Sequence, residues 1–257
     1  MEKHVQISER LQAVVRLVTK GKVVADVGCD HAYTSIYLIE QGIATQVIAL
    51  DVNRGPLERA KINIEKYGMQ QQIETRLSDG IKELKPGEVH TLLIAGMGGP
   101  LMQQILMGHP EVLAQVEELV LQPQSEIREV RVFLEQIGFE IQQEQMLIDD
   151  GKYYVMMNAK KVEQPQKLEQ EVFYRYGKHL LESKNQCLNQ FLQRELENCN
   201  SIIQKIQANT SDKSRQKLLE LQEDIRFCKE ALGFYESGTN YRETGDDSTD
   251  TLCGKLG

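Results

Sequence analysis

The amino-acid sequence predicts an α/β protein in two parts: a mostly parallel β-sheet flanked by helices over residues 1–161, and a helical hairpin over residues 162–236. Three observations support this prediction. Short β-rich runs alternate with helical stretches between residues 23 and 161. The last two runs follow each other with no room for a helix between them. Two apolar stripes with helical spacing then follow Pro165.

The first five β-rich runs predict parallel strands, because a helical stretch separates each from the next. They are residues 23–27, 46–50, 73–78, 91–95 and 118–122. Residues 139–148 and 152–161 flank the turn Asp149-Asp150-Gly151, which predicts an antiparallel hairpin at the sheet edge. Five parallel strands ending in such a hairpin are the plan of the Rossmann-like class I methyltransferases, whereas dinucleotide dehydrogenases usually continue with a parallel sixth strand.

Ahead of the first strand, Ser8 is expected to cap a helix that packs its apolar side on the sheet and turns its basic residues outward. The apolar positions at helical spacing are Leu11, Val14, Val15 and Val18. Arg16 and Lys20 are one helical turn apart, so they are predicted to share a face. Residues 1–22 hold five basic and two acidic residues, a local basic excess.

The C-terminal part is predicted to be an antiparallel coiled-coil hairpin, because each of its two helical stripes alternates spacings of three and four residues. The first stripe is Leu192, Leu196, Cys199, Ile203 and Ile206, and the second is Leu218, Leu221, Ile225, Cys228 and Leu232. Residues 208–213 are expected to form the turn between the two helices. The polar residues 237–257 are expected to be a mobile tail.

Composition limits the classes of function. The net charge of −8 argues against nucleic-acid binding through the overall field, although a local basic patch stays open. No apolar run is long enough for a membrane span and no secretory signal is present, so a cytoplasmic location is expected. The five cysteines include no C-x-x-C pair, which favours free thiols and no metal site.

The first predicted strand ends in DVGCDHA, residues 26–32, which has the pattern of a ligand-binding loop or of an ordinary strand-to-helix turn. Gly28 would let the backbone approach a ligand closely, at the start of a helix near Ala32. The loop is not G-x-G-x-x-G, and Asp30 would repel a pyrophosphate. S-adenosylmethionine carries a cationic amino group and sulfonium, so Asp30 would not repel it.

Acidic residues also end the next two strands. Asp51 lies 23 residues after Gly28, a separation at which a carboxylate can accept both ribose hydroxyls of an adenosine cofactor. The alternative is a helix cap, which we disfavour because the next helix is expected to begin near Pro56. Asp79, followed by Gly80, could accept a hydrogen bond from the adenine amino group.

The fourth strand runs into IAGMGG, residues 94–99, which predicts either a tight turn or a flexible backbone against a cofactor and its substrate. On the functional interpretation, Ala95 and Gly96 contact the cofactor, and Met97, Gly98 and Gly99 face the transferred methyl group and the acceptor. Gln122 and Pro123 end the fifth strand at the same edge.

Taken together, the motifs DVGCDHAY, DVN-x-GPL, SDG, IAGMGG and LQP, with the N-terminal S-x-R-L and the C-terminal coiled coil, resemble the bacterial TrmK-like tRNA adenine-N1 methyltransferases over nearly the full chain. The resemblance implies methyl transfer from S-adenosylmethionine to N1 of the adenine at nucleotide 22 in the tRNA D-arm. Thr34-Ser35 departs from the leucine and proline expected in the family. We expect this departure to affect the start of the helix more than the chemistry.

Adenine N1 has an in-plane lone pair, so the reaction requires alignment of donor and acceptor rather than a strong base. Asp30 and Tyr33 are candidates to orient and stack a base turned out of the tRNA. His31 could contact the cofactor or fix the loop. Candidate cofactor contacts are Asp26, Gly28, Cys29, Asp30, His31, Asp51, Val52, Asn53, Asp79, Gly80, Ala95 and Gly96.

Arg10, Arg16 and Lys20 are candidate tRNA contacts, and Arg10 is the more specific because it lies inside S-x-R-L. Two other classes of function stay open at this point. A small-molecule or protein methyltransferase would share every cofactor motif, and a non-catalytic interaction protein could be built on the same scaffold.

Overall fold

The computed structural model describes residues 4–206 and 212–236. Its centre is a seven-stranded sheet in the order β3-β2-β1-β4-β5-β7-β6. The strands are β1 (Lys22–Val27), β2 (Ala44–Asp51), β3 (Ile73–Leu77), β4 (Thr91–Met97), β5 (Glu118–Pro123), β6 (Phe139–Asp149) and β7 (Lys152–Lys161). β1 to β5 pair in parallel, and β7 is antiparallel to both β5 and β6. The predicted class I methyltransferase plan is confirmed.

Ten helices are described. They are α1 (Glu9–Arg16), α2 (Tyr33–Glu40), α3 (Arg54–Lys66), α4 (Gly99–Gly108), α5 (Pro110–Leu113), α6 (Ile127–Gln136), α7 (Glu171–Tyr176), α8 (Lys178–Glu182), α9 (Gln186–Ile206) and α10 (Asp212–Glu236). Over the described residues, no helix combines the length and the apolar character that a bilayer crossing needs. A metal-holding group of three or more His, Cys, Asp or Glu is likewise absent from the described ranges.

The central strands are mostly apolar and are buried on both faces, because helices cover both faces of the sheet. All six residues of β5 are buried, as are the last four of β1. Alternate side chains of a strand therefore enter different cores: Val24 packs in the cluster that contains Val14 and Ile36, whereas Ala25 packs with Met102 on the opposite face.

Helix α1 is capped as predicted, since the Ser8 Oγ accepts a hydrogen bond from Leu11 N at 3.3 Å. The helix ends at Arg16, so the prediction that Arg16 and Lys20 share a helical face is wrong. The helix ends here because a buried polar cluster forms hydrogen bonds with the residues just after Arg16. Glu118 accepts bonds from the Thr19 N–H at 3.1 Å and from its hydroxyl, and Asn158 donates to the Leu17 carbonyl at 2.8 Å.

Both predicted apolar stripes of the C-terminal helices are turned inward: Leu192, Cys199, Leu221 and Cys228 are buried. Helices α9 and α10 pack against each other. Two short helices that the sequence interpretation missed, α7 and α8, join this part to the sheet domain through one shared apolar cluster. The coiled-coil geometry and the division at residue 161 stay predictions. The tail 237–257 and most of the turn 208–213 lie outside the described residues, and α10 already begins at Asp212.

Candidate active site

The carboxyl ends of the parallel strands meet at one edge of the sheet, where a cavity of about 200 Å³ opens between them and α1. Its walls are Arg10, Leu11, Asp26, Gly28, Cys29, Asp30, His31, Tyr33, Thr34, Leu93 and Ala95. The structure thus brings Arg10, from the N-terminal helix, together with most of the DVGCDHA loop.

The loop after β1 is held in a conformation that requires glycine at one position. Gly28 has φ of +77°, and a Cβ there would lie 2.4 Å from the Cε of Met97. The N–H groups of Gly28 and Cys29 both donate to the Leu50 carbonyl, at 2.8 and 2.9 Å. The loop therefore folds tightly over the ends of β2 and β4, and its backbone faces the cavity without a side chain at Gly28.

Asp51 links the ends of two strands. It is buried, its Oδ2 accepts a hydrogen bond from the Asp30 N–H at 3.2 Å, and its Oδ1 accepts from the Asn53 N–H at 2.8 Å. Helix α3 begins at Arg54 rather than near Pro56, so Asp51 does bond the N-cap residue of this helix. The expected helix start near Pro56 is thus wrong by two residues, but Asp51 does not itself cap the helix, as expected, and each of its oxygens keeps a further lone pair for a ligand.

Asp26 is buried under the same loop, and Ser35 holds it through its hydroxyl, whose Oγ lies 2.6 Å from Asp26 Oδ2. Burial raises the pKa of Asp26 to about 6, and the hydrogen bonds from the Ser35 hydroxyl and backbone limit the rise. Ser35, one of the two residues that depart from the family pattern, therefore bonds a cavity carboxylate directly.

Three carboxylates surround Cys29. Burial raises the pKa of the Cys29 thiol, and the negative charges of Asp26, Asp51 and Asp30 raise it further. The thiol is therefore neutral and weakly nucleophilic near pH 7. The same charges give this end of the cavity a negative potential, which suits the cationic amino group and sulfonium of S-adenosylmethionine.

His31 and Tyr33 form the outer part of the cavity wall. His31 Nε2 lies 3.2 Å from Asp30 Oδ1 and 3.4 Å from Arg59 NH1, and the Asn63 side chain donates to the His31 carbonyl at 3.0 Å. Arg59 and Asn63 lie on α3, so no local pattern in the sequence marked them as supports of this loop. Tyr33 is 40% exposed, which leaves its ring available to a ligand.

The IAGMGG segment covers the end of β4 and the start of α4, and its residues serve either the cavity or the packing of α4. Strand β4 extends to Met97, Gly98 is the N-cap of α4, and Gly99 is the first residue of that helix. Gly99 is buried, and a Cβ on it would lie 2.7 Å from the Ser125 carbonyl oxygen and 2.9 Å from Val130 Cγ2. Packing thus accounts for Gly99, whereas Ala95 lines the cavity and the Met97 side chain abuts Gly28.

The end of β3 places Asp79 beside the same edge but outside the cavity wall. The Ser78 N–H donates to the Asp51 carbonyl at 2.9 Å, so Asp79 and Gly80 follow directly from a contact with the end of β2. Asp79 is exposed. Gly80 has φ of +62° and packs on Ile105 of α4, where a Cβ would meet two carbons at 3.0 Å.

The basic residues of α1 were expected to face outward, but Arg10 points toward the sheet. Its NH1 donates to Gln122 Oε1 at 2.5 Å, and its guanidinium lies 5.2 Å from the centre of the Tyr154 ring. Arg16 and Lys20 are exposed and lie toward the other end of α1, where Thr19 binds the first residue of β5. Only Arg10 of the three basic candidates reaches the cavity.

Comparisons with known proteins identify the family. The family described as tRNA (adenine(22)-N(1))-methyltransferase, TrmK, matches residues 24–230. The tRNA (adenine(22)-N(1))-methyltransferase of Bacillus subtilis (strain 168) is 32% identical over 231 residues, which cover 88% of this chain and 97% of the relative.

Solved structures agree. Streptococcus pneumoniae Sp1610 in complex with S-adenosyl-L-methionine has a TM-score of 0.78 at 32% identity, covering 88% of this chain and 100% of that one. M. capricolum TrmK in complex with S-adenosyl-homocysteine has a TM-score of 0.77 at 25% identity, covering 90% and 99%. The chain belongs to the TrmK family of tRNA (adenine(22)-N(1))-methyltransferases.

Proposed function

We propose that this protein transfers the methyl group of S-adenosylmethionine to N1 of adenine 22 in the D-arm of tRNA. The observation that carries the proposal is the cavity at the strand ends, in which an acidic loop faces an arginine from α1. Membership of the TrmK family supports the same reaction. A tRNA substrate also agrees with the cytoplasmic location expected from the sequence.

The residues at this edge fit S-adenosylmethionine, which supplies a methyl group on a cationic sulfur when bound. Asp51 would accept the ribose hydroxyls, Asp79 would accept the adenine amino group, and Asp26 and Asp30 would face the cationic amino group. The remaining candidate contacts are Gly28, Cys29, His31, Val52, Asn53, Gly80, Ala95 and Gly96. Gly28 lines the cavity, and the space that a side chain on it would fill is taken by Met97 Cε.

The acceptor requires no base, because the lone pair of adenine N1 attacks without losing a proton. The task of the protein is to align N1 with the methyl group and to exclude water. Tyr33 would stack on the turned-out base, and the Asp30 carboxylate would accept a bond from its exocyclic amino group. Met97 and Gly98 would form the opposite wall, with Gly99 supporting them from within α4. The neutral Cys29 thiol does not compete for the methyl group.

tRNA is the proposed partner in spite of the net charge of −8, because binding needs only a local basic surface. Arg10 is the proposed contact nearest the reacting base, since it lines the cavity. Arg16 and Lys20, which are exposed, would contact phosphates farther from the reaction.

The test is methyl transfer from S-adenosylmethionine to an unmodified tRNA transcript that contains adenine 22. A transcript with guanine 22 is the matched control. We expect 1-methyladenosine at position 22 of the first transcript and no methylation of the second. Equal methylation of both would refute the position, and methylation of a metabolite or protein with none of tRNA would favour the other class of methyltransferase.

The acceptor site is tested separately with two variants at one position. Tyr33→Phe keeps the aromatic ring, and Tyr33→Ala removes it. We expect Tyr33→Phe to stay within about threefold of wild-type turnover. Tyr33→Ala should lose about tenfold or more, because base-aromatic stacking contributes about 1 to 3 kcal/mol. Equal activity of the two variants would remove Tyr33 from the acceptor site.

A further inference from the structure

A fully buried side-chain amide lies behind Arg10 at the carboxyl end of β5. Gln122 is 0% exposed, and its Oε1 accepts the hydrogen bond from Arg10 NH1 at 2.5 Å. Its Nε2 donates to the Pro123 carbonyl at 3.2 Å. The second bond fixes the orientation of the amide. If the amide were flipped, its oxygen would face the Pro123 carbonyl oxygen and its NH2 group would face the N–H groups of Arg10. Gln122 is therefore set to receive a donor from the direction of α1.

The guanidinium is also supported from a second side. The Tyr154 ring of β7 lies 5.2 Å from the Arg10 Cζ, within the range of a cation-π contact. A Cβ built on Gly96 would lie 3.9 Å from Arg10 NH1. The guanidinium thus lies close both to Tyr154 and to the glycine-rich end of β4. One bond to Gln122 leaves other N–H groups of its five for a ligand.

The other end of α1 is held by the same strand. Glu118, the first residue of β5, accepts the bonds from Thr19, and it precedes Gln122 by four residues. Side chains an even number of positions apart in a strand project from the same face of the sheet. Two polar residues on one face of β5 therefore hold both ends of the N-terminal helix segment, which sets where Arg10 lies along the sheet.

We propose that Gln122 is a positioning residue, which holds the Arg10 guanidinium at the edge of the cavity in the orientation that the methyl acceptor requires. The proposal rests on the proposed function. The alternative is a purely structural role, in which Gln122 and Arg10 satisfy each other's polar groups and nothing more. The two roles differ in one measurable respect. If Gln122 positions Arg10, a change at Gln122 lowers turnover only while Arg10 is present.

The experiment is a double-mutant cycle with Gln122→Met and Arg10→Ala, measured as kcat/KM for a tRNA transcript with adenine 22. Gln122→Met alone should lower kcat/KM by about tenfold or more, since small displacements of aligned groups can cost about a hundredfold. In the Arg10→Ala background the same change should alter kcat/KM by less than about twofold, because the group being positioned is already gone. Gln122→Glu, which keeps an acceptor oxygen for Arg10 but loses the donor to the Pro123 carbonyl, should recover part of the activity lost in Gln122→Met.

Three controls make the outcome decisive. Thermal unfolding and S-adenosylmethionine affinity are measured for each variant, so that a loss of fold is separated from a loss of position. Side-chain NMR of the Arg10 guanidinium reports its restriction without any substrate: rotation about the Nε–Cζ bond should be hindered in the wild type and faster in Gln122→Met. If Gln122→Met does not fold, Tyr154→Leu against Tyr154→Phe tests the second support, and only loss of the ring should lower turnover.

The proposal is overturned if folded Gln122→Met keeps wild-type turnover, if the two effects multiply independently, or if the Arg10 signal does not change. Failure of the wild type to methylate tRNA would instead refute the proposed function, and the NMR comparison would still decide whether Gln122 restrains Arg10.

Discussion

The backbone N–H of Asp30 donates a hydrogen bond to the buried carboxylate of Asp51 at 3.2 Å, which joins the loop after β1 to the end of β2. The other Asp51 oxygen accepts from the Asn53 N–H at 2.8 Å, so a single side chain orders the loops on both sides of the proposed ribose site. Asp51 thus supports these loops and is also a candidate contact of the cofactor, so a variant at this position affects both the loop structure and cofactor binding.

Two variants at Asp51 separate its contributions. Asp51→Ala should weaken S-adenosylmethionine binding at least about tenfold, because charge-assisted hydrogen bonds contribute about 1.5 to 3 kcal/mol each. Asp51→Asn keeps one acceptor oxygen and should bind with intermediate affinity. Isothermal titration calorimetry measures both constants, and circular dichroism checks the fold. Wild-type affinity in folded Asp51→Ala would remove Asp51 from the cofactor site.

Asp26 predicts a pH dependence of stability. Burial raises its pKa from an ordinary 3.8 to about 6, so the folded protein binds more protons than the unfolded chain between these values. The free energy of unfolding therefore falls as the pH rises from about 4 to about 6, and the full penalty applies above pH 6. A shift of this size corresponds to about 3 kcal/mol.

The matching variant is Asp26→Asn, which has no charge to bury. The free energy of unfolding of the variant minus that of the wild type should increase by up to about 3 kcal/mol between pH 4 and pH 7.5. Any effect of the amide that does not depend on pH adds the same amount at every pH and does not alter this increase. Urea denaturation at several pH values measures this difference. A difference independent of pH would show that Asp26 has no raised pKa. Loss of cofactor binding in the same variant would add Asp26 to the site.

The local patterns in the sequence were sufficient for the strands and for the loops that follow them. The parallel strands, the Asp149-Asp150-Gly151 hairpin and the Ser8 cap all depend on neighbours in the chain, and all are confirmed. What could not be predicted depends on residues distant in sequence. Thr19 meets Glu118 across 99 positions and ends α1 early, and Arg10 meets Gln122 across 112 positions and turns inward.

The same limit applies to the candidate site. Most residues of the DVGCDHA motif line the cavity, and their binding of the cofactor stays a prediction, whereas the α3 residues that support this loop carry no motif of their own. Gly99 shows the opposite case. It belongs to a glycine-rich motif, yet the packing of α4 against the loop before α6 already requires a residue without a side chain there.

Gly98 and Gly99 form a matched pair that tests this packing. Gly99→Ala would place its Cβ 2.7 Å from the Ser125 carbonyl oxygen, a backbone atom that cannot move freely, so we expect a loss of about 1 to 3 kcal/mol in stability. Gly98→Ala would place its Cβ 3.1 Å from the Ser125 hydroxyl, which can rotate away, and 3.9 Å from Pro100 Cδ, so it should cost less. Thermal unfolding compares the two. Full stability of Gly99→Ala combined with lost turnover would favour a direct role beside the substrate.

The C-terminal hairpin offers a second matched pair. Leu221 is 4% exposed and Leu219 is 61% exposed, although both lie on α10. Leu221→Asp should cost several kcal/mol by placing an unpaired charge in the helix interface, whereas Leu219→Asp should have little effect. Hydrogen exchange of α9 and α10 should detect the local loss. Cofactor affinity should be unchanged in both variants, and its loss in a folded Leu221→Asp protein would contradict the domain division at residue 161.

The basic residues near the N-terminus should divide into two kinds of tRNA contact. Arg10 lies at the cavity, whereas Arg16 is about 9 Å farther along α1 at 1.5 Å per residue, and Lys20 follows the end of the helix. Arg10→Ala should therefore lower turnover at saturating tRNA. Arg16→Gln and Lys20→Gln should weaken tRNA binding without affecting saturated turnover, and each should reduce the salt slope of binding by about 1.

Lys22→Gln is the control for these variants, because Lys22 already forms an ion pair with Glu117 at 2.7 Å. Its affinity for tRNA and its salt slope should equal those of the wild type. Binding is measured at several salt concentrations for all four variants, together with S-adenosylmethionine affinity. Unchanged slopes for Arg16→Gln and Lys20→Gln would mean that the tRNA backbone docks elsewhere, most simply on the C-terminal hairpin.

A loss of cofactor affinity in Arg10→Ala would reassign Arg10 to the carboxylate of S-adenosylmethionine, the one anionic group that this acidic cavity would otherwise leave without a cation.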